Sequence, residues 1–418
     1  MQWYMLQSDI DLLAAKVFKG GLARMSKGLL NEARGLKDWL IEVRRDFHRY
    51  PELGRREFRT QQRIIQYLRQ MGIDNAKGMG NTGVVALIGQ AKTDKIVALR
   101  ADMDALPMED YKDVSYKSTL EGKMHACGHD AHMAILLGAA KLLKKIEKQL
   151  QGGVKLIFQP DEENLGGAKP MIGAGVLEKP KVDAIFGLHV STEIETGQIG
   201  IKYGQMKAAS DTVKINIYGK SVHGAYPHGG VDAIVISGQV ITALQTIISR
   251  NLDPRQGAVF TVGKIQGGGQ ANIIANKVEM TATVRTLDLK VRSYINKRIV
   301  EIVEGVAEAL GGRGEVIRQE GYTCLVNHDD FVHIIEKNAI KLLGRKSIVK
   351  IPSPSFGVED FGYFLEAVPG AYYNLGCKNV GKGKVHPGHS NYFDIDEECL
   401  PIGVALQVKN ALETFKIL

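Results

Sequence analysis

Cysteine is scarce in this sequence: four residues, irregularly spaced, among 418. A fold held by disulfides needs a denser and more regular set, so this class is excluded and a reduced, cytoplasmic compartment is expected. Long apolar runs are also missing, because the longest strongly apolar stretch near a helix, 134–143, is too short to cross a bilayer. The start of the chain carries Asp9 and Asp11 rather than a basic segment followed by an apolar one, so we expect neither a signal peptide nor a membrane partner.

The excess of positive over negative charge in the sequence is also small. Lysine and arginine number 54 and aspartate and glutamate 46, which leaves a net charge of +8. The basic residues are scattered, with no stripe interleaved with aromatic residues, so nucleic-acid binding is not expected. A mild positive charge can still attract an anionic small molecule. Hydrophobic residues at 44% and charged residues at 24% are typical of a globular protein, and the length favours two or three domains.

Apolar segments of strand length alternate with helical segments in the first part of the chain. Residues 55–71 place Phe58, Ile64 and Leu68 on one helical face, and 131–148 have the pattern of a long helix. The strand-like runs are apolar almost throughout and lie at 83–88, 96–100, 154–158 and 184–188. This combination predicts an α/β domain whose mostly parallel sheet is covered by helices.

The middle of the chain has a different pattern, in which apolar and polar residues alternate. We predict strands at 212–218, 258–266, 278–285 and 314–320, and helices at 231–249 and 291–310. The order β-α-β-β-α-β is that of a ferredoxin-like α+β domain. We therefore predict an insert at 203–318 within one discontinuous domain formed by 1–202 and 319–418. Residues 1–30 show no pattern that suggests a role.

A first group of residues suited to metal chemistry lies in MHACGHDAH, 124–132. Cys127 and His129 are separated by one residue, so both side chains can face the same way in a loop. Thiolate and imidazole are good ligands for zinc and other late divalent metals. The pair alone leaves a redox or structural thiol equally open.

A second group follows an apolar strand in FQPDEE, 158–163. Of two neighbouring carboxylates, such as Glu162 and Glu163, one can bind a metal while the other acts as a general base on water. These residues alone do not assign the two roles, and a solvated acidic loop is the plainer alternative.

Histidines complete the set of candidate ligands. His189 ends another apolar run, and His386 and His389 stand in a loop rich in glycine and proline. Asp102 and Asp104, at a further strand end, could orient such ligands. Together these groups supply enough donors for two metal ions.

The chain resembles the metal-dependent amidohydrolases typified by hippurate hydrolases, bacterial N-acyl-amino-acid deacylases and plant indole-acetyl-amino-acid hydrolases, which belong with the aminoacylase and carboxypeptidase G type metallopeptidases. The matching segments, in the order of the family, are HRYPELGRREFRT (48–60), RADMDALP (100–107), MHACGHDAHM (124–133), FQPDEE (158–163), GLHV (187–190), GKSVHGAYPHGGVDAI (219–234), GGQANIIAN (268–276), TVRTLD (283–288), FGVEDFGYF (356–364) and HPGHSNYF (386–393).

The resemblance implies hydrolysis of a small N-acyl amino acid to a carboxylic acid and a free amino acid. Glu162 would be the general base, and the implied ligands of two divalent ions (Mn²⁺, Zn²⁺, Co²⁺ or Ni²⁺) are Cys127, His129, Glu163, His189 and His389. His223 would stabilise the oxyanion, whereas Asn272 and Arg285 would hold the substrate carboxylate. The insert would be a lid and dimerisation domain, so a homodimer or a higher homo-oligomer is expected.

Two departures and three alternatives remain at this point. Asp102 stands where the wider metallopeptidase group has a histidine, so it is not counted as a ligand, and Asp161 replaces the alanine expected before the two glutamates. One alternative is a thiol enzyme with Cys127 as its nucleophile. Another is a binding module without catalysis, and a third is a metallocarboxypeptidase that acts on short peptides.

Overall fold

The computed structural model describes residues 28–89 and 94–418, so most of residues 1–30 lie outside the described part. The chain divides into two compact units. The first consists of the chain up to Gly204, Asn327–Pro352 and Phe364–Leu418, and the second of Gln205–Val326 and Ser353–Tyr363. The insert expected at 203–318 therefore corresponds to a second unit that continues further along the chain and takes in one more segment.

The elements are named here in chain order. The helices are α1 (Lys37–Arg49), α2 (Phe58–Gln70), α3 (His129–Lys145), α4 (Ala168–Gly173), α5 (Ala233–Thr246), α6 (Leu289–Ala309), α7 (Asp329–Leu343), α8 (Gly362–Ala367) and α9 (Cys399–Thr414). The strands are β1 (Lys77–Met79), β2 (Gly83–Ile88), β3 (Ile96–Asp102), β4 (Gly153–Gln159), β5 (Ala184–Glu195), β6 (Ile199–Ile201), β7 (Gln205–Lys207), β8 (Ala209–Tyr218), β9 (Ala258–Gly267), β10 (Lys277–Thr286), β11 (Arg313–Glu320), β12 (Leu325–Val326), β13 (Ile348–Lys350) and β14 (Gly370–Lys378).

A mixed sheet forms the centre of the first unit. Within the described residues it has eight strands, in the order β1-β2-β4-β3-β5-β14-β6-β13. The four central strands β4, β3, β5 and β14 run parallel to one another. Strand β2 is antiparallel to β4, and β6 is antiparallel to β14. The predicted α/β class is confirmed.

The sequence of the central strands explains their position. Every residue of β3 and β4 is buried, as continuous apolar composition predicts for strands covered on both faces. Helix α3 is also buried along most of its length and packs against α1 and α9. Because β3 and β4 are parallel, their carboxyl ends lie at the same edge of the sheet. Asp104 and the two glutamates after β4 therefore begin from neighbouring positions.

The second unit has a four-stranded antiparallel sheet in the order β11-β8-β10-β9, counted over the described residues. With α5 after β8 and α6 after β10, this is the ferredoxin-like arrangement predicted from the sequence. In β8 the alternate residues Val213, Ile215 and Ile217 are buried against the helices, which is why the apolar pattern alternates. A short pair, β7 and β12, adds a two-stranded sheet.

The helical stretch Ala233–Asn251 is long and apolar enough to cross a bilayer by length and composition, with a mean hydropathy of 1.3 in its most apolar window. The sequence expectation, based on 134–143, misses this stretch. Its residues Ile236, Val240 and Leu244 belong to the hydrophobic core of the second unit. A helix packed on a sheet has the same composition, so the stretch is weak evidence for a membrane span.

Candidate metal centre

A tight turn places two of the sulfur and nitrogen donors. Gly128 has a φ of 86°, in the left-handed region that favours glycine. A Cβ atom at this position would lie 2.3 Å from Val190 Cγ2, so strand β5 also excludes a side chain there. Cys127 and His129 flank Gly128, and the turn brings their donor atoms into one group with that of His189.

Five predicted ligands converge in the first unit. Donor atoms of Cys127, His129 and His189 all lie within 4.8 Å of one another, and so do those of Cys127, Glu163 and His389. Cys127 Sγ is 3.2 Å from His189 Nε2. The two groups share Cys127 alone, so one sulfur atom stands between two sets of donors. Together these five side chains could hold two cations.

The donor set fits divalent metal ions. Among the described residues, His129 Nε2 is buried and has no hydrogen-bond partner. Glu163 Oε1 lies 3.8 Å from this atom and 3.2 Å from His389 Nε2. A buried polar atom without a partner is costly, and a bound cation would satisfy His129 Nε2. Sulfur, imidazole and carboxylate together suit Zn²⁺, Mn²⁺, Co²⁺ or Ni²⁺ better than Ca²⁺ or Mg²⁺, which prefer oxygen ligands.

The pKa shifts of the cluster also favour the binding of a cation. Burial, together with the nearby charge of Glu163, raises the pKa of the Cys127 thiol well above its ordinary value. Burial alone would raise the pKa of Glu163, but His389 and His129 lower it below its usual range. Without a metal ion the thiol therefore keeps its proton beside an ionised carboxylate. A bound cation would take the place of that proton.

Asp104 orients three of the site residues. Its Oδ1 accepts the backbone N–H of Glu162 and its Oδ2 accepts that of Glu163, each at 3.0 Å. Its backbone carbonyl lies 2.9 Å from His129 Nδ1. A proton on Nδ1 makes this contact a hydrogen bond and leaves Nε2 free to bind a metal. A single residue, Asp104, thus holds both glutamates and one histidine.

Asp102 and His132 form a separate pair behind the cluster. His132 Nδ1 lies 2.5 Å from Asp102 Oδ1, and His132 Nε2 accepts the backbone N–H of Val190 at 2.9 Å. Asp102 also accepts a hydrogen bond from Arg100. Donor atoms of Asp102, His129 and His132 lie within 4.8 Å of one another, but those of Asp102 and His132 already have partners. The pair therefore suits a supporting role, which agrees with leaving Asp102 out of the ligand set.

Glu162 lies within reach of the metal donors. It is 7% exposed, and its carboxylate is within 4.8 Å of the donor atoms of His129 and Glu163. The preceding residue Asp161 has a φ of 57°, and His389 has a φ of 64°. Left-handed conformations at residues other than glycine are strained and tend to occur at functional sites. An Asp161–Arg55 ion pair at 2.7 Å helps to hold the first of these turns.

A buried ionic network, which was not predicted from the sequence, supports the start of α3. Arg44 is fully buried and donates to Asp130 at 2.7 Å and to Asp394 at 2.8 Å. His48 also lies 2.7 Å from Asp130, which is the residue after His129. The sequence does contain one indication of this network, because Arg44 lies next to Val43 on the apolar face of α1. A buried charge at such a position needs a partner of opposite charge.

The three predicted substrate-binding residues lie in the second unit. His223 and Asn272 are on neighbouring segments, because Gly224 N–H donates to the Asn272 carbonyl at 2.7 Å. Both side chains are exposed. Arg285 lies elsewhere, on β10, where its guanidinium donates to Thr283 and to the Val284 carbonyl. Burial lowers the pKa of Arg285 below its ordinary value.

A protein-family model and several curated proteins match most of this chain. A family model described as peptidase family M20/M25/M40 matches residues 98–413. Thermostable carboxypeptidase 1 of Saccharolobus solfataricus is 41% identical over 379 residues, which are 90% of this chain and 95% of that protein. IAA-amino acid hydrolase ILR1-like 4 of Arabidopsis thaliana is 40% identical over 379 residues, 90% of this chain and 85% of that protein. N-acetyl-L-cysteine deacetylase of Bacillus subtilis is 40% identical over 365 residues, 87% and 85% of the two chains.

A solved structure is similar over almost the whole chain. It is that of the Bacillus subtilis protein YXEP, described as a dinuclear metal binding peptidase from the M20 family. The TM-score is 0.81 and the sequence identity 31%, with 92% of this chain and 100% of that chain covered. The similarity extends over both units of the chain.

Proposed function

The chain belongs to peptidase family M20/M25/M40 and is a metal-dependent hydrolase, and from this premise we propose that it hydrolyses the amide bond of N-acyl amino acids. The products are a carboxylic acid and a free amino acid. The observation that carries the proposal is the convergence of five metal donors around Cys127 with Glu162 beside them. Relatives named for hydrolysis of IAA-amino acids and for deacetylation of N-acetyl-L-cysteine support the substrate class.

The residues of the chain divide the chemical tasks among them. Two divalent ions (Mn²⁺, Zn²⁺, Co²⁺ or Ni²⁺), held by Cys127, His129, Glu163, His189 and His389, would supply a Lewis acid and a water of lowered pKa. Glu162 takes a proton from the attacking water and delivers it to the leaving nitrogen. Asp104 keeps the Glu162 backbone in place during both steps.

Residues of the second unit are assigned to substrate binding. His223 stabilises the oxyanion, and Asn272 and Arg285 hold the α-carboxylate of the substrate. A guanidinium suits this task because its planar fork can bind a carboxylate through two hydrogen bonds. Burial disfavours its positive charge, so an incoming carboxylate would restore a favourable pairing for Arg285.

A homodimer formed through the second unit and a cytoplasmic location complete the proposal. Strand β9 lies at the edge of its sheet, and Ile265 on that strand is 54% exposed. An exposed apolar edge strand favours pairing with a second copy. The scarcity of cysteine supports the cytoplasmic location.

A metallocarboxypeptidase acting on short peptides is the second candidate, favoured by the relative named thermostable carboxypeptidase 1. A panel of N-acetyl, N-benzoyl and indole-acetyl amino acids beside unblocked dipeptides, assayed with defined metals, separates the two. Faster hydrolysis of the N-acyl amino acids supports the first function. Turnover of the dipeptides alone would replace it with the second.

A matched pair of variants tests the role of the two glutamates. Glu162→Gln should keep its metal content and lose most of its turnover, because it removes the base and leaves the ligands. Glu163→Gln should lose metal as well, because Glu163 is placed among the ligands. Metal content by mass spectrometry and hydrolysis rates are measured on both. Wild-type turnover by Glu162→Gln would refute the assignment of the base.

A further inference from the structure

Three exposed rings lie together on loops of the first unit. The ring centroid of Tyr392 is 5.5 Å from that of His386 and 5.9 Å from that of Tyr111. Tyr392 is 50% exposed and Tyr111 57%, so both present open aromatic surface. These three residues are named here the aromatic shelf. His386 and Tyr392 lie on the loop of His389, three positions before and after it, and Tyr111 lies on a separate loop.

Hydrogen bonds connect the loops of the shelf to the loops of the metal donors. Tyr111 N–H donates to the Asn391 carbonyl at 3.0 Å, and Asn391 Nδ2 donates to the Glu109 carbonyl at 2.6 Å. The N–H of His389 itself donates to the Ala126 carbonyl at 2.8 Å, directly before Cys127. The loops that carry the rings and the loops that carry the donors therefore form one connected framework.

The shelf has the properties of a site for a planar apolar group. Open aromatic faces and edges bind another ring in offset or edge-to-face contacts, and tyrosine offers a large contact area at a low entropic cost. The side chain of His389 is 56% exposed, so the donor cluster is accessible from the side of this loop. An acetyl group has no ring with which to make such contacts.

We propose that Tyr111, Tyr392 and His386 determine specificity by binding an aromatic group of the substrate beside the metal donors. The proposal rests on the proposed amide hydrolysis and names a chemical class for that same site. The aromatic group can come from either side of the amide bond, as the acyl group or as the amino-acid side chain. Only substrates that carry a ring reach the shelf.

Three substrates distinguish these sources: N-benzoylalanine, N-acetylphenylalanine and N-acetylalanine. We compare kcat/KM of the wild type with that of the double variant Tyr111→Leu/Tyr392→Leu. The preference for one of the aromatic substrates over N-acetylalanine should fall about tenfold, because two ring contacts are lost. The substrate whose preference falls identifies the side of the amide bond that meets the shelf.

Control variants separate the loss of rings from other changes. Phe58→Leu removes an aromatic ring that is 55% exposed on α2 and should leave both preferences unchanged. Tyr111→Phe/Tyr392→Phe keeps the rings and should keep the wild-type preference. Equal changes for all three substrates, or none, would overturn the shelf.

A binding measurement keeps this test independent of turnover. N-benzoylalanine and N-acetylphenylalanine are titrated against the wild type and the double leucine variant by calorimetry. Absence of hydrolysis by the wild type would refute the proposed function, while weaker binding to the leucine variant would still support the shelf. Equal affinities of both proteins for both compounds would reject it.

Discussion

The carboxylate of Asp104 accepts the backbone N–H of Glu162 at 3.0 Å, and its second oxygen accepts the N–H of the next residue at the same distance. A ligand and the proposed base are therefore held by one side chain, which lies two residues beyond the end of strand β3. Since β3 and β4 are parallel neighbours, the geometry of this hydrogen bond is built into the sheet. Catalysis should depend on Asp104 although it is not assigned to the metal or to the substrate.

Replacing Asp104 should test this dependence. Asp104→Ala removes both acceptors, and we expect kcat to fall by about 10- to 100-fold and metal binding to weaken. Steady-state rates and metal titration measure the two effects. Asp183→Ala is the matched control, because Asp183 accepts the Ile96 N–H at 2.7 Å at the opposite end of the same strand. Similar losses of activity in both variants would show that Asp104 only stabilises the fold.

The Arg44 network should contribute strongly to stability. Arg44→Met leaves Asp130 and Asp394 buried without their main partner, and we expect the free energy of unfolding to fall by about 3–5 kcal/mol. The adjacent Arg45 pairs with Glu397 and is 32% exposed, so Arg45→Met should cost less than about 1 kcal/mol. Urea denaturation of both variants measures the difference. Equal losses would contradict the special position of Arg44.

Glu57 should make stability depend on pH. This carboxyl is buried and accepts hydrogen bonds from Thr82 and from the Asp161 N–H, and burial raises its pKa to about 7. The folded state thus binds a proton more tightly than the unfolded state. Its contribution to stability is complete below about pH 4.5 and is lost as the pH rises through about 7.

The variant Glu57→Gln removes this titration. Relative to the wild type, it should gain stability as the pH rises from about 4.5 to about 7, by up to about 1.4 kcal/mol for each pH unit within that window. Denaturant melts of both proteins at a series of pH values provide the comparison. A difference between the two proteins that stays constant across the window would show that Glu57 does not titrate there.

Local patterns account for much of the fold. Strand β2 has the bounds 83–88 expected from its apolar run, and the alternation in β8 identified the half-buried sheet of the second unit. Helix α3 begins two residues before the expected 131, because the Gly128 turn, rather than the apolar pattern, starts it. Patterns of this kind depend on neighbours in the sequence and can be read from it.

Contacts between distant residues could not be read in this way. Arg44 and Asp394 are 350 residues apart, and nothing local marks them as partners. The segment Ser353–Tyr363 joins the second unit from beyond the insert, so the pattern at 314–320 could not define the end of that unit. The grouping of Cys127 with His389 came from the family resemblance, since the residues alone supported only separate candidates.

Metal dependence of hydrolysis tests the central claim most directly. The purified protein is treated with a chelator until its metal content is negligible, and hydrolysis of N-acyl amino acids is then measured before and after addition of Mn²⁺, Zn²⁺, Co²⁺ or Ni²⁺. Our account predicts that activity disappears with the metal and returns with at least one of these ions. Full activity of the metal-free protein would contradict it and would favour Cys127 as a nucleophile.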